Sequence, residues 1–322
     1  MKSAEVSTPG KLMLFGEHAV VYGRPCIVTA VDQRMNVIAE IRERNILQLI
    51  APEVGLPNYL QDIDDLGKNP NIPKGARFVE IAVKNFFEKY AVKSGLKIET
   101  RSDFSSEFGF GSSSAVTVGV IKALSELFDL KLTEQKLFDL SYKTVLDIQG
   151  VGSGFDLAAA IWGETLWFVG GGKTIIPLDG GNLPIVVGYT GIKADTPTLV
   201  WKVEEENRKY PKTIEKIFEA ITLITEEAKD ILERRDWVKL GDLMNLNQGL
   251  LDSLGVNTKV LSSLIYAARE AGAFGAKLSG AGGGDCMIAL VDNQTREAVE
   301  RAIDKAGGKV LRIKTGAEGV RK

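Results

Sequence analysis

The chain reads as an α+β protein built in two lobes that divide somewhere between residues 165 and 185. Three features point there. Strand-like alternation dominates up to residue 51, helical spacing of apolar residues takes over between 76 and 162, and the pattern restarts after Gly170-Gly171-Gly172. The 322 residues suffice for two medium domains, expected at 1–170 and 171–322.

Taken in order, residues 26–31 form a short apolar run, 35–43 alternate in the manner of a half-buried strand, and 46–50 continue the β pattern. Residues 52–74 hold turn formers and acids and read as a loop or mobile excursion. From 76 to 90, Phe78, Ile81, Ala82 and Phe86 share one helical face. A second helix should begin just after Gly111, with Val116, Val120, Leu124 and Leu127 on one stripe. A third spans about 133–148, capped by Thr133 with Glu134 in its first turn. Gly150, Gly152 and Gly154 then make a turn before an apolar helix or strand that runs through Trp162. In the second lobe a strand at 185–189 leads into helical segments near 211–233, 236–253 and 257–271. A glycine-rich loop precedes a strand at 287–291, and a helix near 294–306 and a strand at 310–313 close the chain. No internal repeat or low-complexity tract occurs.

Lysine and arginine number 40 against 42 aspartates and glutamates, a net charge of −2. Such a balance provides no global positive field, so nucleic acid and membrane surfaces are not expected partners. An anionic small molecule would have to be held by a local cation. Cys26 and Cys286 lie far apart in apolar contexts, which fits two reduced thiols in a cytoplasmic protein better than a disulfide. The N-terminal residues lack a signal-peptide apolar region, and no apolar run is long enough to span a membrane. A homodimer is compatible with these properties.

Three loops carry the chemistry. In Glu107-Phe108-Gly109-Phe110-Gly111-Ser112-Ser113-Ser114-Ala115, glycines permit close approach of the backbone to an oxyanion. The helix start that follows supplies free N–H groups and a partial positive charge, and the serines add hydroxyls that can bond phosphate or ligate magnesium. The same residues are also those of a simple helix cap. The segment is not a P-loop, and in the decoy Gly172-Lys173-Thr174 the first glycine's place is taken by Trp167. The second loop, Lys277-Leu278-Ser279-Gly280-Ala281-Gly282-Gly283-Gly284-Asp285, concentrates glycines between a helix and an apolar strand. That pattern fits close approach either to a ligand or to another segment.

The third loop runs from Pro9 to Gly23. Lys11 is a cation at the edge of an apolar strand, a place that favours an anionic partner. His18, the single histidine, adjoins Glu17 in a glycine-bounded turn. Asp156 follows a glycine-rich turn and precedes small apolar residues that imply burial. Alone it reads as a helix cap, but beside a lysine ammonium its carboxylate would stay ionised and ready to accept a proton.

Together the three loops resemble the motifs of the GHMP kinases, named for galactokinase, homoserine kinase, mevalonate kinase and phosphomevalonate kinase. Pro9-Gly10-Lys11 through Gly23 resembles the first motif, Ser105 to Ala115 the second and Lys277 to Cys286 the third, in the family's order. The resemblance implies a ribosomal S5 domain 2-like N-terminal lobe, a ferredoxin-like C-terminal lobe, and ATP with Mg2+ as nucleotide and metal. It further implies that ATP phosphates lie on Gly109, Phe110, Gly111, Ser112, Ser113, Ser114 and Ala115. Ser112 or Ser113 would reach the metal, Asp156 and Lys11 would be catalytic, and Glu17, His18, Gly280 and Ala281 would meet the acceptor.

Within the family, Gly16-Glu17-His18-Ala19-Val20-Val21-Tyr22-Gly23 looks like the mevalonate-phosphorylating members, which makes the primary hydroxyl of mevalonate the expected acceptor. A phosphomevalonate kinase, another small-molecule kinase of the family, and a non-catalytic nucleotide-binding sensor are the alternatives. Departures from the pattern occur. Ser105 or Ser106 replaces a proline, and Glu107 stands where a small residue is usual. Val145 stands where a metal-sharing glutamate is found, leaving Asp147 as the nearest acid. The 149–156 segment is more similar to fungal phosphomevalonate kinases.

Overall fold

A computed structural model describes residues 2–322. In chain order its first part comprises β1 (Ser3–Phe15), β2 (Pro25–Arg42), β3 (Ile46–Ala51), β4 (Leu56–Asp62), α1 (Lys74–Tyr90), β5 (Gly95–Ser102), α2 (Ser112–Leu127), α3 (Glu134–Gln149), α4 (Phe155–Trp162), β6 (Thr165–Val169) and β7 (Thr174–Leu178). The second part comprises β8 (Ile185–Tyr189), α5 (Thr196–Lys209), α6 (Pro211–Glu233), α7 (Trp237–Ser253), α8 (Lys259–Glu270), β9 (Gly275–Ser279), β10 (Cys286–Leu290), α9 (Arg296–Lys305) and β11 (Lys309–Leu311).

The long strand β2 organises a seven-stranded sheet of order β4-β3-β5-β2-β6-β7, with β1 also paired to β2. All pairings are antiparallel except β3 with β5. Val6, Val37, Ile98, Phe86, Val118 and Leu124 are fully buried between this sheet and the helices packed on it, because alternate strand residues and one stripe of each helix are apolar. The second sheet, β11-β8-β10-β9, is wholly antiparallel. Its core gathers Phe218, Leu261, Leu264, Leu278 and Met287. The chain then returns to the first sheet, where Arg321 pairs with Ser7 and Thr315 with Val31. The Arg34 guanidinium fastens this return by donating to the carbonyls of Glu318 (2.8 Å) and Gly319 (2.7 Å). Among the described residues no helix is long and apolar enough to cross a membrane.

Two stretches differ from the sequence reading. Residues 52–74 are not simply a loop, since they contain β4, an edge strand that pairs with β3. Its pattern is weak because this edge strand buries no residue fully and keeps polar residues such as Asn58, Gln61 and Asp62. Helix α5 escaped notice for a similar reason: Val203 is its one buried residue, so it lacks an apolar stripe. The segment left open between helix and strand at 155–162 is helix α4.

Candidate active site

The turn before α2 is shaped by Gly109 (φ 72°) and Gly111 (φ 76°), left-handed conformations that an L side chain adopts only with strain. The first intrahelical bond runs from the Ala115 N–H to the Gly111 carbonyl (2.9 Å), so the N–H groups of Ser112, Ser113 and Ser114 have no partner within the helix. They point outward from the positive end of a 16-residue helix. The hydroxyls of Ser112 and Ser113 are half-exposed, whereas Ser114 is buried. Phe110 and Ala115 turn their side chains into the core and leave only backbone to a ligand.

Lys11 arrives at this turn from β1. A bulge between Pro9 and Gly10 shifts the register on β2 and re-aims the strand. Gly10 lets it press on the turn: a Cβ there would stand 3.2 Å from Phe110, and the Lys11 N–H donates to the Phe110 carbonyl at 3.0 Å. The Lys11 side chain is buried, with its ammonium 3.0 Å from Asp156 Oδ1 and 5.1 Å from the centre of the Phe155 ring. Asp156 lies in the first turn of α4, after Gly154 at φ 90°. Its Oδ1 is buried and, apart from the ion pair with that ammonium, accepts no hydrogen bond. An ionic partner is thus present while a lone pair stays free. All three segments meet at Gly111, where an added Cβ would lie 3.3 Å from Lys11 Cε and Cγ and 3.4 Å from Asp156 Oδ1.

Glu17 takes a different position from that expected, whereas His18 lies against the third loop. The Glu17 carboxylate is fully buried, ion-paired with the ammonium of Lys277, and accepts from Asn247 Nδ2 at 3.1 Å. It is therefore engaged within the protein rather than with an acceptor, which corrects the role that the resemblance implied for it. Burial pushes the Lys277 pKa down, and the Glu17 charge and hydrogen bond oppose that push. His18, at φ 60°, places Nε2 3.0 Å from the Ala281 carbonyl, which ties the first motif to the third. Burial holds its pKa below the usual 6.5, so the neutral ring donates from Nε2.

The third loop divides. Gly282, Gly283 and Gly284 are required by protein packing: a Cβ there would meet Val256 O at 2.3 Å, Leu199 Cδ1 at 2.7 Å and Ile192 O at 2.5 Å. Gly280 (φ 96°) faces open space, and with Ala281 it stays partly exposed. Asp147 is engaged elsewhere, by Lys143 (2.5 Å) and Asn85 (2.9 Å). Burial alone would raise its carboxyl pKa, but those partners carry it below the usual range.

Lys277, Asn247, Asp285 and Lys193 were missed. Lys277 carried the same signal as Lys11, a charge inside an apolar strand. Asp285 packs its carboxylate against Gly109 and accepts from the Ala194 N–H at 2.9 Å, with the Lys193 ammonium 3.6 Å away.

Among the described residues no group of three or more His, Cys, Asp or Glu side chains is disposed to cage a metal. Magnesium does not require one, since it is commonly held by one or two protein oxygens, water and the substrate's phosphates. The Asp156 carboxylate and the hydroxyls of Ser112 and Ser113 fit that manner of binding.

Known proteins resemble this chain along nearly its whole length. The family described as GHMP kinases N terminal domain matches residues 77–164, and GHMP kinases C terminal matches residues 228–309. The mevalonate kinase of Pyrococcus abyssi is 38% identical over 328 residues, covering 98% of this chain and 96% of that protein. Among solved structures, the Methanococcus jannaschii mevalonate kinase superposes with a TM-score of 0.83 at 26% identity, covering 97% of this chain and 98% of that one. The L. major mevalonate kinase in complex with R-mevalonate gives 0.79 at 28%, covering 97% and 95%. Matched in both its sheets and along nearly its whole length, the chain belongs to the GHMP kinase family.

Proposed function

We propose that this protein transfers the γ-phosphoryl group of ATP to the primary hydroxyl of mevalonate, giving 5-phosphomevalonate and ADP. The observation that carries the reading is the meeting of Lys11, Asp156 and the α2 N-terminus at Gly111, with Asp156 Oδ1 buried and unbonded. The relatives at 38% identity that phosphorylate mevalonate by name support the acceptor.

Phosphoryl transfer asks a protein mostly for positioning and charge neutralisation. ATP phosphates lie along the free N–H groups of Ser112 to Ser114, where the helix dipole favours negative charge. Asp156 Oδ1 accepts the hydrogen of the acceptor hydroxyl and aligns its oxygen on the γ-phosphorus. As the new O–P bond forms, the bond from the γ-phosphorus to the β–γ bridging oxygen breaks, ADP leaves, and the hydroxyl proton passes to Asp156. Lys11 pairs with Asp156 at 3.0 Å and offsets charge on the transferring group. Mg2+ would be held by Ser112 or Ser113 together with Asp156 and the phosphates, and would supply further charge neutralisation. His18 and the partly exposed Gly280 and Ala281 border the acceptor.

A coupled ADP-release assay across mevalonate, phosphomevalonate, homoserine and galactose tests the reading. Turnover with mevalonate well above the other three is expected. Preference for phosphomevalonate would overturn the acceptor but keep the kinase. Nucleotide binding without ADP release on any acceptor would mark a non-catalytic sensor.

A further inference from the structure

We infer that Lys277 is a positioning residue: through its buried pair with Glu17 it locks the acceptor-side turn of the first motif onto β9, and so sets where the acceptor sits relative to Lys11 and Asp156. This deepens the kinase reading and rests on it.

The turn and β9 are joined at three places in a row. Two residues past Lys11, the Ser279 hydroxyl donates to the Met13 carbonyl (2.9 Å) and accepts from the Met13 N–H (3.0 Å). Lys277 then pairs with Glu17, and His18 bonds the Ala281 carbonyl. Strand alternation explains the spacing: Lys277 and Ser279 share one face of β9, while Ala276 and Leu278 on the other face enter the core of the second part. The strand thus grips the second part with one face and the catalytic strand β1 with the other.

Stability is a poor explanation for this arrangement. Both charges are completely buried, where an apolar pair of similar volume is commonly at least as stable. The surrounding network is also incompletely satisfied. Asn247 donates to Glu17 and Gln248 accepts from the Leu278 N–H (2.9 Å), yet Asn247 Oδ1 and Gln248 Nε2 remain buried without partners. What the charged pair provides and an apolar contact does not is direction: the Lys277 ammonium bonds both Glu17 and the Leu278 carbonyl (2.6 Å), fixing the turn along and across β9. Glu17 sits between Gly16, pressed on Pro25 and Cys26, and His18 at positive φ, so a shift of its carboxylate must move His18.

The test compares Glu17→Gln, Lys277→Met and the double variant in melting, acceptor kinetics and binding of a fluorescent ATP analogue. Either single change strands a buried charge or donor and should lower Tm by roughly 10 °C. The double variant removes both charges at similar volume and should regain most of that Tm. Its kcat/KM for mevalonate should nevertheless stay down by roughly ten- to a hundredfold, with nucleotide affinity unchanged, because the lock holds the acceptor-side turn and not the α2 turn. A double variant with both Tm and kcat/KM restored would reduce the pair to scaffolding and overturn the inference. Should the double variant fail to fold, Ser279→Ala decides. It severs the neighbouring link without touching a charge, and acceptor kinetics unaltered in it count against the lock. Wild-type enzyme silent with mevalonate would instead strike the mevalonate reading on which the inference rests.

Discussion

Replacing Gly111 by alanine tests the convergence on which catalysis is placed. The substitution has two separable consequences. At φ 76° an alanine sits in the left-handed region, which costs about 1–2 kcal/mol. For a chain of this length that amounts to a fall in Tm of roughly 2–3 °C. The new methyl would also stand 3.3 Å from Lys11 Cε and Cγ, tighter than ordinary carbon contacts, and touch Asp156 Oδ1 at 3.4 Å, so the lysine side of the ion pair must yield by a few tenths of an ångström. Displacements of that size at reacting groups lower kcat by roughly tenfold or more. Gly307, at φ 89° between α9 and β11, supplies the control: it is equally left-handed, but a Cβ there meets nothing within 4 Å. Thermal melts and steady-state kinetics on both variants should show similar losses of Tm, and loss of kcat only in Gly111→Ala. If Gly111→Ala keeps kcat within about twofold of Gly307→Ala, the methyl meets no reacting group and the site has been misplaced.

Asp156→Asn keeps the shape of the site but removes the proton acceptor, so kcat should drop by at least roughly a hundredfold, with some loss of Tm because the buried Lys11 ammonium loses its carboxylate; an undiminished kcat in the folded variant would remove that role. His18 is the sole histidine, and burial holds its folded pKa below 6.5. The unfolded chain therefore takes up a proton first as pH falls through about 6.5, and the stability due to the neutral ring, complete above that pH, is lost progressively below it. Denaturant melts against pH should show this decline flattened in His18→Gln, and a histidine NMR midpoint above 6.5 in the native protein would contradict the sign. Burial pushes the thiols of Cys26 and Cys286 upward, Cys26 well above its ordinary value. A disulfide-exchange reagent should therefore label neither in the native state and both after denaturation; rapid native labelling would show that one of them is accessible.

Lys11, Asp156 and the 109–115 turn were legible in the sequence because each breaks a local rule. A lysine at a strand edge, glycines where entropy disfavours them and a carboxylate before a run of alanines all call for a reason, and the structure brings them to one point. The inter-lobe polar network was not legible in the same way. Glu17 advertised itself through its neighbour His18, but its partner lies 260 positions away, and only the folded register of β9 reveals which face Lys277 takes. The glycines of the third loop raised a question with two physical answers. Gly282 to Gly284 take the packing answer and Gly280 the open one, a division that depends on where Val256, Leu199 and Ile192 lie. Strand β4 and helix α5 were obscured because periodicity reports burial, and neither element buries much.

Asp285 is the residue whose presence is hardest to reconcile with a phosphate site, and that makes it informative. It sits at φ 52°, where glycine would be unstrained, so its side chain is kept despite backbone strain of about 1 kcal/mol. Its main-chain bonds, from the Thr190 N–H (2.9 Å) and to the Ile192 carbonyl (2.7 Å), would survive a change to glycine. Asp285→Gly thus relieves strain but loses the Ala194 N–H bond and admits more backbone freedom, terms of about 1 kcal/mol each that leave stability little altered or slightly reduced. The electrostatic consequence does not cancel. The carboxylate packs on Gly109, with the half-exposed Lys193 as partial compensation, so it repels any phosphate drawn to that turn. Removing one charge several ångströms from a triphosphate in a partly solvated cleft should tighten metal-free ATP binding by roughly three- to tenfold at low salt, and by less as salt screens it. Equilibrium titration with a fluorescent ATP analogue in chelator, at two ionic strengths, measures this directly. Metal-free affinity that stays the same or weakens in the variant would mean that the triphosphate does not come to Gly109, and the α2 turn would lose its place in the mechanism.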